Sequence, residues 1–381
     1  MGGAIKIEDY MKAFSLDLFL PASTLISFNL STFEFTLGVC LLLGAYRWFT
    51  TLFTCLFMAV MTLLTFYLAL FNPVADCGCF GDAIILTNWE TFFKNVVLMA
   101  ASILVFTHSK SLFRFYSLKT IWFVVFFTYT FGLGFAWMNY NHLPLVDFRP
   151  YKVGANIPEM MSIPDGAPVD EYSYSFTYEK DGVQKFFSLD DAPTEDTTWT
   201  FIDSKTELIQ KGYTPLVESF QLFDATDTDI SEQILADTAD VFLLIMPDAS
   251  IANEERIDRI GDLYDYTVEA GLRFYAVIGS SDESFQVWTD YTGAEYPYLK
   301  ADKVFLKTII RSNPGLIQLR KGSIINKWHN NDLPQVEELT QKKSNDKLVT
   351  AYLLLFFIPL SIVWLYDLIR YRRRYMLAPK D

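Results

Sequence analysis

Apolar positions gather into five long runs in this chain of 381 residues. A helix that crosses a lipid bilayer needs about 20 consecutive, mostly apolar residues. The pattern therefore predicts five membrane-spanning helices, at residues 18–46, 48–71, 89–107, 121–137 and 348–369.

A water-soluble region separates the fourth run from the fifth. Residues 139–347 hold 36 acidic and 19 basic residues, a net charge of −17, whereas the rest of the chain carries +3. An acidic surface of this kind excludes nucleic acid as a partner, because binding to phosphates needs clustered Lys and Arg. The partners that we expect are membrane lipid and an extracytoplasmic client protein.

Basic residues mark the connections between the runs on one side only. Short cytoplasmic connections are enriched in Lys and Arg, so this side is predicted to be the cytoplasm of a bacterium, with the C-terminus on it. The loop at 72–84 and the large acidic domain then face the periplasm, across the inner membrane. The basic residues are Arg47, Lys110, Arg114, Lys119, Arg370, Arg372, Arg373 and Arg374.

The number of runs does not fit the start of the chain. Five spans with a cytoplasmic C-terminus place Met1 outside, yet the first 14 residues hold no apolar run that would carry them across. We therefore expect one more span upstream in the natural protein.

The acidic domain shows the pattern of an α/β fold. Residues 172–179 and 183–189 predict a β-hairpin around Asp181-Gly182. Further on, two apolar strands, Val241–Met246 and Arg273–Ile278, are separated by a helical pattern at 253–270, and a second helix follows near 283–291. Strand, helix and strand of this length predict a parallel crossover.

A hairpin after Asn313-Pro314 completes this pattern. The order of elements resembles the second half of a thioredoxin-like domain, in which a cis proline precedes a β-hairpin, and it extends over residues 213–334. In redox-active members a Cys-x-x-Cys follows the first central strand. Here that position reads Pro247 to Ile251 without sulfur, so the domain itself is not expected to exchange disulfides.

Two roles remain open for this domain. It is either a scaffold that binds a partner or a dock that presents a client to the cysteine loop. Asn313 and Pro314 are the candidate partner-binding residues, because this edge touches substrates in thioredoxins, although a proline there is also a feature of the fold.

The loop at 72–84 contains Cys77 and Cys79 on either side of Gly78. A disulfide between them would close a very small, strained ring, and strained disulfides are the oxidising, exchangeable ones. Two other interpretations stay open: binding of a soft metal such as copper(I), although no His or Met nearby completes a site, and a tight turn without chemistry. Cys40 and Cys55 lie inside apolar runs and are interpreted as packing residues.

Residues 76–98, with the cysteine loop, an Asn-Trp pair and Lys-Asn at the head of the next helix, resemble the DoxX-like membrane family that includes the methylamine-utilisation MauE proteins. The likeness extends over about residues 3–140. It implies a four-helix membrane bundle, here without its first helix, associated with thiol redox, sulfur or quinone chemistry. Some bacterial members continue into a thioredoxin-like outer domain and a last helix.

Carried over by position, the family pattern makes Cys77 and Cys79 the redox pair. Asp76 and Asp82 would raise the pKa of the thiols by like-charge repulsion, or they cap turns. Glu34 is a carboxylate inside an apolar run, which is costly and points to function. It would handle protons for a quinone, or lie hydrogen-bonded within the bundle as the neutral acid.

The predicted fold is an α-helical transmembrane bundle joined to an α/β thioredoxin-like extracytoplasmic domain and a C-terminal transmembrane helix. Its domains are 1–140 in the membrane, a hairpin and linker at 141–212, the thioredoxin-like part at 213–345, and the last helix with a basic tail at 346–381. The predicted function is an inner-membrane accessory of thiol–disulfide chemistry, as an oxidoreductase with a membrane quinone as the candidate cofactor and no metal. The alternative is a non-enzymatic membrane scaffold or assembly factor.

Overall fold

The computed structural model describes residues 2–74, 84, 86–180, 182–189, 191–193, 196, 198–210, 212–339 and 345–370. Within these residues five helices are long and apolar enough to cross a membrane. The prediction of five spans is therefore confirmed, and the chain is a multi-pass membrane protein. The helices are Asp17–Leu43, Arg47–Phe71, Asn88–Thr107, Ile121–Asn141 and Asp346–Arg370.

Helices form the two ends of the chain, and strands lie in its middle. The α-helices of the described residues are α1 (Gly2–Ala13), α2 (Ser23–Leu43), α3 (Arg47–Phe71), α4 (Asn88–Thr107), α5 (Ile121–Asn141), α6 (Ile157–Met161), α7 (Ser231–Ala236), α8 (Ile257–Glu269), α9 (Asp282–Thr292), α10 (Lys303–Ile309) and α11 (Asp346–Arg370). The strands are β1 (Glu171–Lys180), β2 (Val183–Ser188), β3 (Thr200–Gln210), β4 (Val241–Met246), β5 (Arg273–Ile278), β6 (Tyr298–Lys300), β7 (Gly315–Arg320) and β8 (Ser323–His329).

The membrane helices pack as antiparallel neighbours. The Tyr129 hydroxyl of α5 donates to Asn29 Oδ1 of α2 over 2.7 Å, and the rings of Phe131 on α5 and Phe356 on α11 lie 4.9 Å apart. Because the direction alternates, the α3–α4 connection, the end of α5 and the start of α11 all lie on one side of the bundle. We call this the domain side.

A buried carboxylate holds the last helix on the opposite side. Asp367 of α11 accepts hydrogen bonds from the backbone N–H of Ser117 at 2.8 Å and from its hydroxyl at 3.0 Å. The Thr120 hydroxyl also donates to Asp367, and the Tyr116 hydroxyl donates to the carbonyl of Leu360 over 3.0 Å. The connection between α4 and α5 is thereby fastened to the C-terminal helix.

Two of the basic clusters meet on this opposite side. Arg47 Nη1 donates to the carbonyls of Lys110 at 2.7 Å and Leu112 at 2.8 Å. These connections therefore share one side of the bundle. The compartment that this side faces stays a prediction.

A five-stranded sheet with the order β6-β5-β4-β7-β8 forms the centre of the α/β domain. Strand β4 pairs parallel to β5 and antiparallel to β7, and a cis peptide bond joins Asn313 to Pro314 just before β7. Every residue of β4 is buried because apolar layers cover both faces of the sheet. This is a thioredoxin-like architecture, and the predicted bounds of β4 and β5 match the observed strands.

Residues 151–161 also belong to this domain. Tyr151 and Ile157 are buried in the same apolar cluster as the sheet. The Gly154 N–H donates to the Ile324 carbonyl over 2.7 Å. Helix α6 has only five residues, which is too short to show a helical pattern of apolar positions. The sequence pattern therefore placed this segment in the linker.

A separate three-stranded sheet with the order β2-β1-β3 is inserted after residue 170. It contains the predicted hairpin, and it adds β3, which lies just beyond the Thr- and Asp-rich stretch. One face carries aromatic rings: Tyr178 lies 5.8 Å from Phe187 and 5.7 Å from Phe201 between centroids. All eleven residues of β3 are exposed.

Polar contacts fasten the α/β domain to the end of α5. His142 Nδ1 lies 2.8 Å from Asp332 Oδ1, and the Asn331 amide donates to the Asn141 carbonyl over 2.8 Å. The interface is therefore specified by side chains from both parts of the chain.

Candidate functional site

The α3–α4 connection is the first candidate site, because it carries the cysteine pair. Cys77, Cys79, Asp76 and Asp82 all lie outside the described residues. The structure does describe the two stems of the loop, up to Val74 on one side and from residue 86 on the other.

A pair of asparagines holds the two stems together. Asn72 ends α3 in the left-handed region, at φ 47°. Its Oδ1 accepts a 2.7 Å hydrogen bond from the side-chain amide of buried Asn88, which also donates to the Val74 carbonyl over 2.9 Å. The loop thus starts and returns at fixed, adjacent points.

The start of α4 is capped in the same place. The Thr87 hydroxyl accepts from the Glu90 N–H at 3.3 Å, and Glu90 Oε2 accepts from the Thr87 N–H at 2.9 Å. This reciprocal capping box satisfies backbone donors that the helix start leaves open.

A second polar pair fixes α3 against α4 deeper in the bundle. The amide of Asn95, which is buried, donates to the Thr65 hydroxyl over 3.2 Å. Sequence reasoning missed both pairs. The available signal was four polar residues on the facing sides of two apolar helices.

The other candidate residues of the bundle lie apart from this loop. Glu34 is an exposed residue of α2. It lies close enough to Lys94 of α4 for an electrostatic attraction between the two side chains. Cys40 is buried, Cys55 is partly buried, and both are free thiols. The interpretation of these cysteines as packing residues fits their positions inside α2 and α3.

The loop after β4 occupies the place at which redox-active thioredoxins carry their cysteines. Asp248 Oδ1 accepts from the Ser250 N–H at 3.1 Å and from its hydroxyl at 2.6 Å, and Oδ2 pairs with Lys303 Nζ at 2.5 Å. The hydrogen bond from Lys303 is the main cause that lowers the pKa of Asp248. The position that holds the cysteines in redox-active thioredoxins is therefore occupied here by a turn with a salt bridge.

The edge at Asn313 and Pro314 is engaged within the domain. The Asn313 amide donates to the Asp248 carbonyl over 2.7 Å, and the Asn313 carbonyl accepts from the Asn253 N–H at 2.8 Å. Pro314 is buried. These contacts explain both residues as parts of the fold, and their contact with a client stays a prediction.

Two buried ionisable groups near the bundle escaped sequence reasoning. Burial lowers the pKa of His329 to about 4, against the opposing effect of Asp332. Lys327 donates to Asp147 at 3.0 Å and to the Tyr151 carbonyl at 2.7 Å, and burial lowers its pKa as well. A single Lys or His in a strand pattern gives no sign of such burial.

No group of three or more His, Cys, Asp or Glu side chains suited to a metal ion occurs within the ranges that the structure describes. The copper(I) alternative at Cys77 and Cys79 falls outside those ranges and is untested.

Comparison with known families identifies two parts of the chain. Residues 2–108 match the family model of the methylamine utilisation protein MauE. This range of the chain includes the cysteine loop and both of its stems. Residues 172–211, the three-stranded sheet, match a domain of unknown function, DUF8463. No curated protein matches the chain.

Solved structures match about a third of this chain. One is described as a putative protein disulfide isomerase from Bacteroides thetaiotaomicron: the match spans 35% of this chain and 90% of that one, at 12% identity and a TM-score of 0.26. Another is a secreted Mycobacterium tuberculosis disulfide oxidoreductase homologous to E. coli DsbE, with 35% and 94% covered, 12% identity and a TM-score of 0.23.

Proposed function

We propose that this membrane protein is an accessory of thiol–disulfide chemistry, with Cys77 and Cys79 as its exchangeable pair. The observation that carries the proposal is the Asn72–Asn88 clamp, which holds the ends of the cysteine loop at one point on the domain side. A loop fixed at its stems presents two thiols to a partner in a defined place. The match to MauE over the same residues supports it.

The exchange step runs through a mixed disulfide. A client thiolate attacks one sulfur of the Cys77–Cys79 disulfide, the second client thiol displaces that cysteine, and the client leaves with a new disulfide. Cys77 and Cys79 are then both thiols. A membrane quinone would supply the oxidising equivalents, taking up two electrons and two protons from Cys77 and Cys79 as their disulfide is restored.

The surrounding carboxylates tune this exchange. Asp76 and Asp82, which flank the cysteines in sequence, would raise the thiol pKa by like-charge repulsion and slow attack by unrelated thiols. Glu34 is the carboxylate that would exchange protons with that quinone. The α/β domain, which has no sulfur between Pro247 and Ile251, docks the client. The positive-inside pattern puts loop and domain in the periplasm of a bacterial inner membrane, with the C-terminus in the cytoplasm.

The test is the thiol state of Cys77 and Cys79 in cells, measured by acid quench, mass-tagged alkylation and peptide mass spectrometry. We expect a disulfide when quinone is present and two thiols in a strain without it. Cys79→Ser should trap a client in a mixed disulfide with Cys77. The matched control, Cys40→Ser, should leave both results unchanged. A pair that keeps one state under both conditions would contradict the proposal.

A scaffold without redox chemistry is the second candidate function. The Asp248–Lys303 ion pair favours it, because this pair fills the position of the missing cysteines with a rigid turn. The double variant Cys77→Ser, Cys79→Ser separates the two functions. A redox accessory loses function at a normal protein level, whereas a scaffold keeps its function, or loses it together with the protein if the loop is structural.

A further inference from the structure

A large apolar cavity lies in the membrane bundle on the domain side. Its volume is about 660 Å³, and helices α2, α5 and α11 form its walls together with the segment that follows α5. This volume is in the range that proteins use to bind small molecules. Aromatic side chains dominate the lining, which includes Phe28, Phe35, Phe131, Phe135, Tyr352 and Phe356.

Some of the lining residues also face the outside of the bundle. Phe35, Leu353 and Phe357 line the cavity and are exposed, although they belong to helices that are long and apolar enough to cross a membrane. An exposed side chain on such a helix meets lipid in the bilayer. The cavity can therefore be reached sideways from the membrane, and this route favours a lipid-soluble ligand.

A buried hydroxyl is the polar point of the wall. Thr32 of α2 lines the cavity and is only 2% exposed, and its Oγ1 has no hydrogen-bond partner among the described residues. Buried polar groups normally have a partner. Other threonines of the bundle donate to the carbonyl four residues earlier: Thr36 to Thr32 over 2.7 Å and Thr65 to Met61 over 2.8 Å. Thr128 also lacks a partner but does not line the cavity. The Thr32 hydroxyl can therefore donate to a ligand.

The depth of Thr32 limits the charge of that ligand. Thr32 lies near the middle of α2, about 14 Å along the helix from its domain-side end. A charged group is costly at this depth, which disfavours a carbonyl that lies beside a phosphate. Arg311 lines the cavity and has interactions of its own within the protein, so the ligand need not be an anion. An uncharged molecule fits these conditions.

We propose that this cavity binds a neutral, lipid-soluble carbonyl compound whose carbonyl oxygen accepts a hydrogen bond from Thr32. The apolar part of the ligand packs between the aromatic side chains. Two classes of membrane molecule have this chemistry: isoprenoid quinones and uncharged acylglycerols. A quinone in the cavity would be the oxidant of Cys77 and Cys79, and that role rests on the proposed function, whereas the binding itself does not.

The test is native mass spectrometry of the full-length protein in detergent with three added probes. These are a short-chain menaquinone, dioctanoylglycerol, and phytane, a branched hydrocarbon without a carbonyl. We expect one carbonyl compound per protein. Thr32→Val keeps the side-chain volume but removes the donor, so it should weaken binding of that compound about three- to tenfold and leave phytane unchanged. Tighter binding of menaquinone identifies a quinone site, and tighter binding of dioctanoylglycerol identifies an acylglycerol site.

A second variant tests the cavity itself. Ala136→Phe, at a lining position of α5, should fill the cavity and abolish binding of all three probes. Two controls separate this effect from misfolding. Ala101→Phe adds the same ring at an exposed position of α4, and Thr54→Val removes a hydroxyl that donates within its own helix to Thr50. Both should bind the probes as the unchanged protein does.

Three results would each overturn the proposal: phytane bound as tightly as the carbonyl probes, unchanged binding of those probes by Thr32→Val, or full binding by Ala136→Phe. None of them depends on the thiol state of Cys77 and Cys79. A cysteine pair that keeps one state in a protein whose cavity binds menaquinone would contradict the proposed function and still support the cavity as a binding site.

Discussion

Asn88 reaches across the cysteine loop to Asn72, 16 residues earlier, and joins the end of α3 to the start of α4 through a 2.7 Å hydrogen bond. The same amide holds the Val74 carbonyl. Because Asn88 is buried, these bonds do not compete with water as exposed ones do. The two stems of the loop are therefore joined through the side chain of Asn88.

Replacing Asn88 by Ala should loosen the loop. The change removes the donor of two part-buried hydrogen bonds, to Asn72 Oδ1 and to the Val74 carbonyl, so we expect a loss of about 1–2 kcal/mol in the free energy of unfolding. Alkylation of the loop cysteines in the reduced protein should become faster. Asn141→Ala is the control, because its side chain bonds only within its own helix. Unchanged stability and alkylation would show that the clamp is dispensable.

Acid should destabilise the protein through His329. Its pKa in the folded state is about 4, below the ordinary value of 6.5, because it is buried. Between these values the unfolded chain binds a proton that the folded one does not, so stability falls as the pH drops from about 6.5 to about 4. We expect a loss of about 2–3 kcal/mol from this residue.

The measurement compares unfolding at pH 7 and pH 4.5 in the unchanged protein and in His329→Gln. In the unchanged protein, His329 Nδ1 accepts a hydrogen bond from the Asn331 N–H over 3.1 Å. Glutamine keeps an acceptor for this bond but does not titrate. The variant should lose less stability on acidification, whereas His108→Gln, at an exposed residue, should behave as the unchanged protein. Equal acid sensitivity of all three would refute the assignment.

Removing the Asp248 carboxylate should weaken the turn after β4 only modestly. Asp248→Asn keeps an acceptor for Ser250 but loses the ion pair with Lys303, which is partly exposed. We expect a loss of up to about 1 kcal/mol in the free energy of unfolding at pH 7. The pKa of Asp248 is lowered, so this contribution is present above its ordinary pKa and disappears as the pH falls below it. Asp258→Asn, on α8, is the control.

Disrupting the contact between α11 and the α4–α5 connection should destabilise the protein more than Asp248→Asn does. Asp367→Asn removes the negative charge and replaces one carboxylate oxygen by an NH2 group, so the Ser117 hydroxyl loses its charged acceptor in a buried place. We expect a loss of about 2 kcal/mol, measured by thermal unfolding in detergent. Asp262→Asn, at an exposed position, should have almost no effect. A small effect of Asp367→Asn would mean that α11 is held by its apolar contacts alone.

The sequence predicts elements best where burial is continuous. Val241–Met246 and Arg273–Ile278 were predicted to the residue, because a strand covered on both faces is apolar throughout and polar residues bound it. The five membrane helices were predicted because each apolar run is long enough to cross a lipid bilayer. By contrast, β3 follows a polar stretch and all its residues are exposed, so no burial pattern revealed it.

The site could be predicted only in part. Cys77 and Cys79 can be recognised from the sequence alone, because thiols are reactive side chains. The Asn72–Asn88 contact depends on the left-handed conformation at the end of α3, and the pattern of apolar residues does not predict that conformation. Likewise, Asp367 meets Ser117 across 250 residues. Such contacts arise from the packing of helices that are distant in sequence.

The three-stranded sheet enters and leaves the α/β domain at a single point. The Tyr213 N–H donates to the Pro168 carbonyl and the Gly212 N–H to Asp170 Oδ1, both at 2.7 Å. A side chain at Gly212 would come within 2.6 Å of the opposing backbone. The sheet is thus attached to the domain at one joint, and we expect that it can be removed without unfolding the domain that carries it.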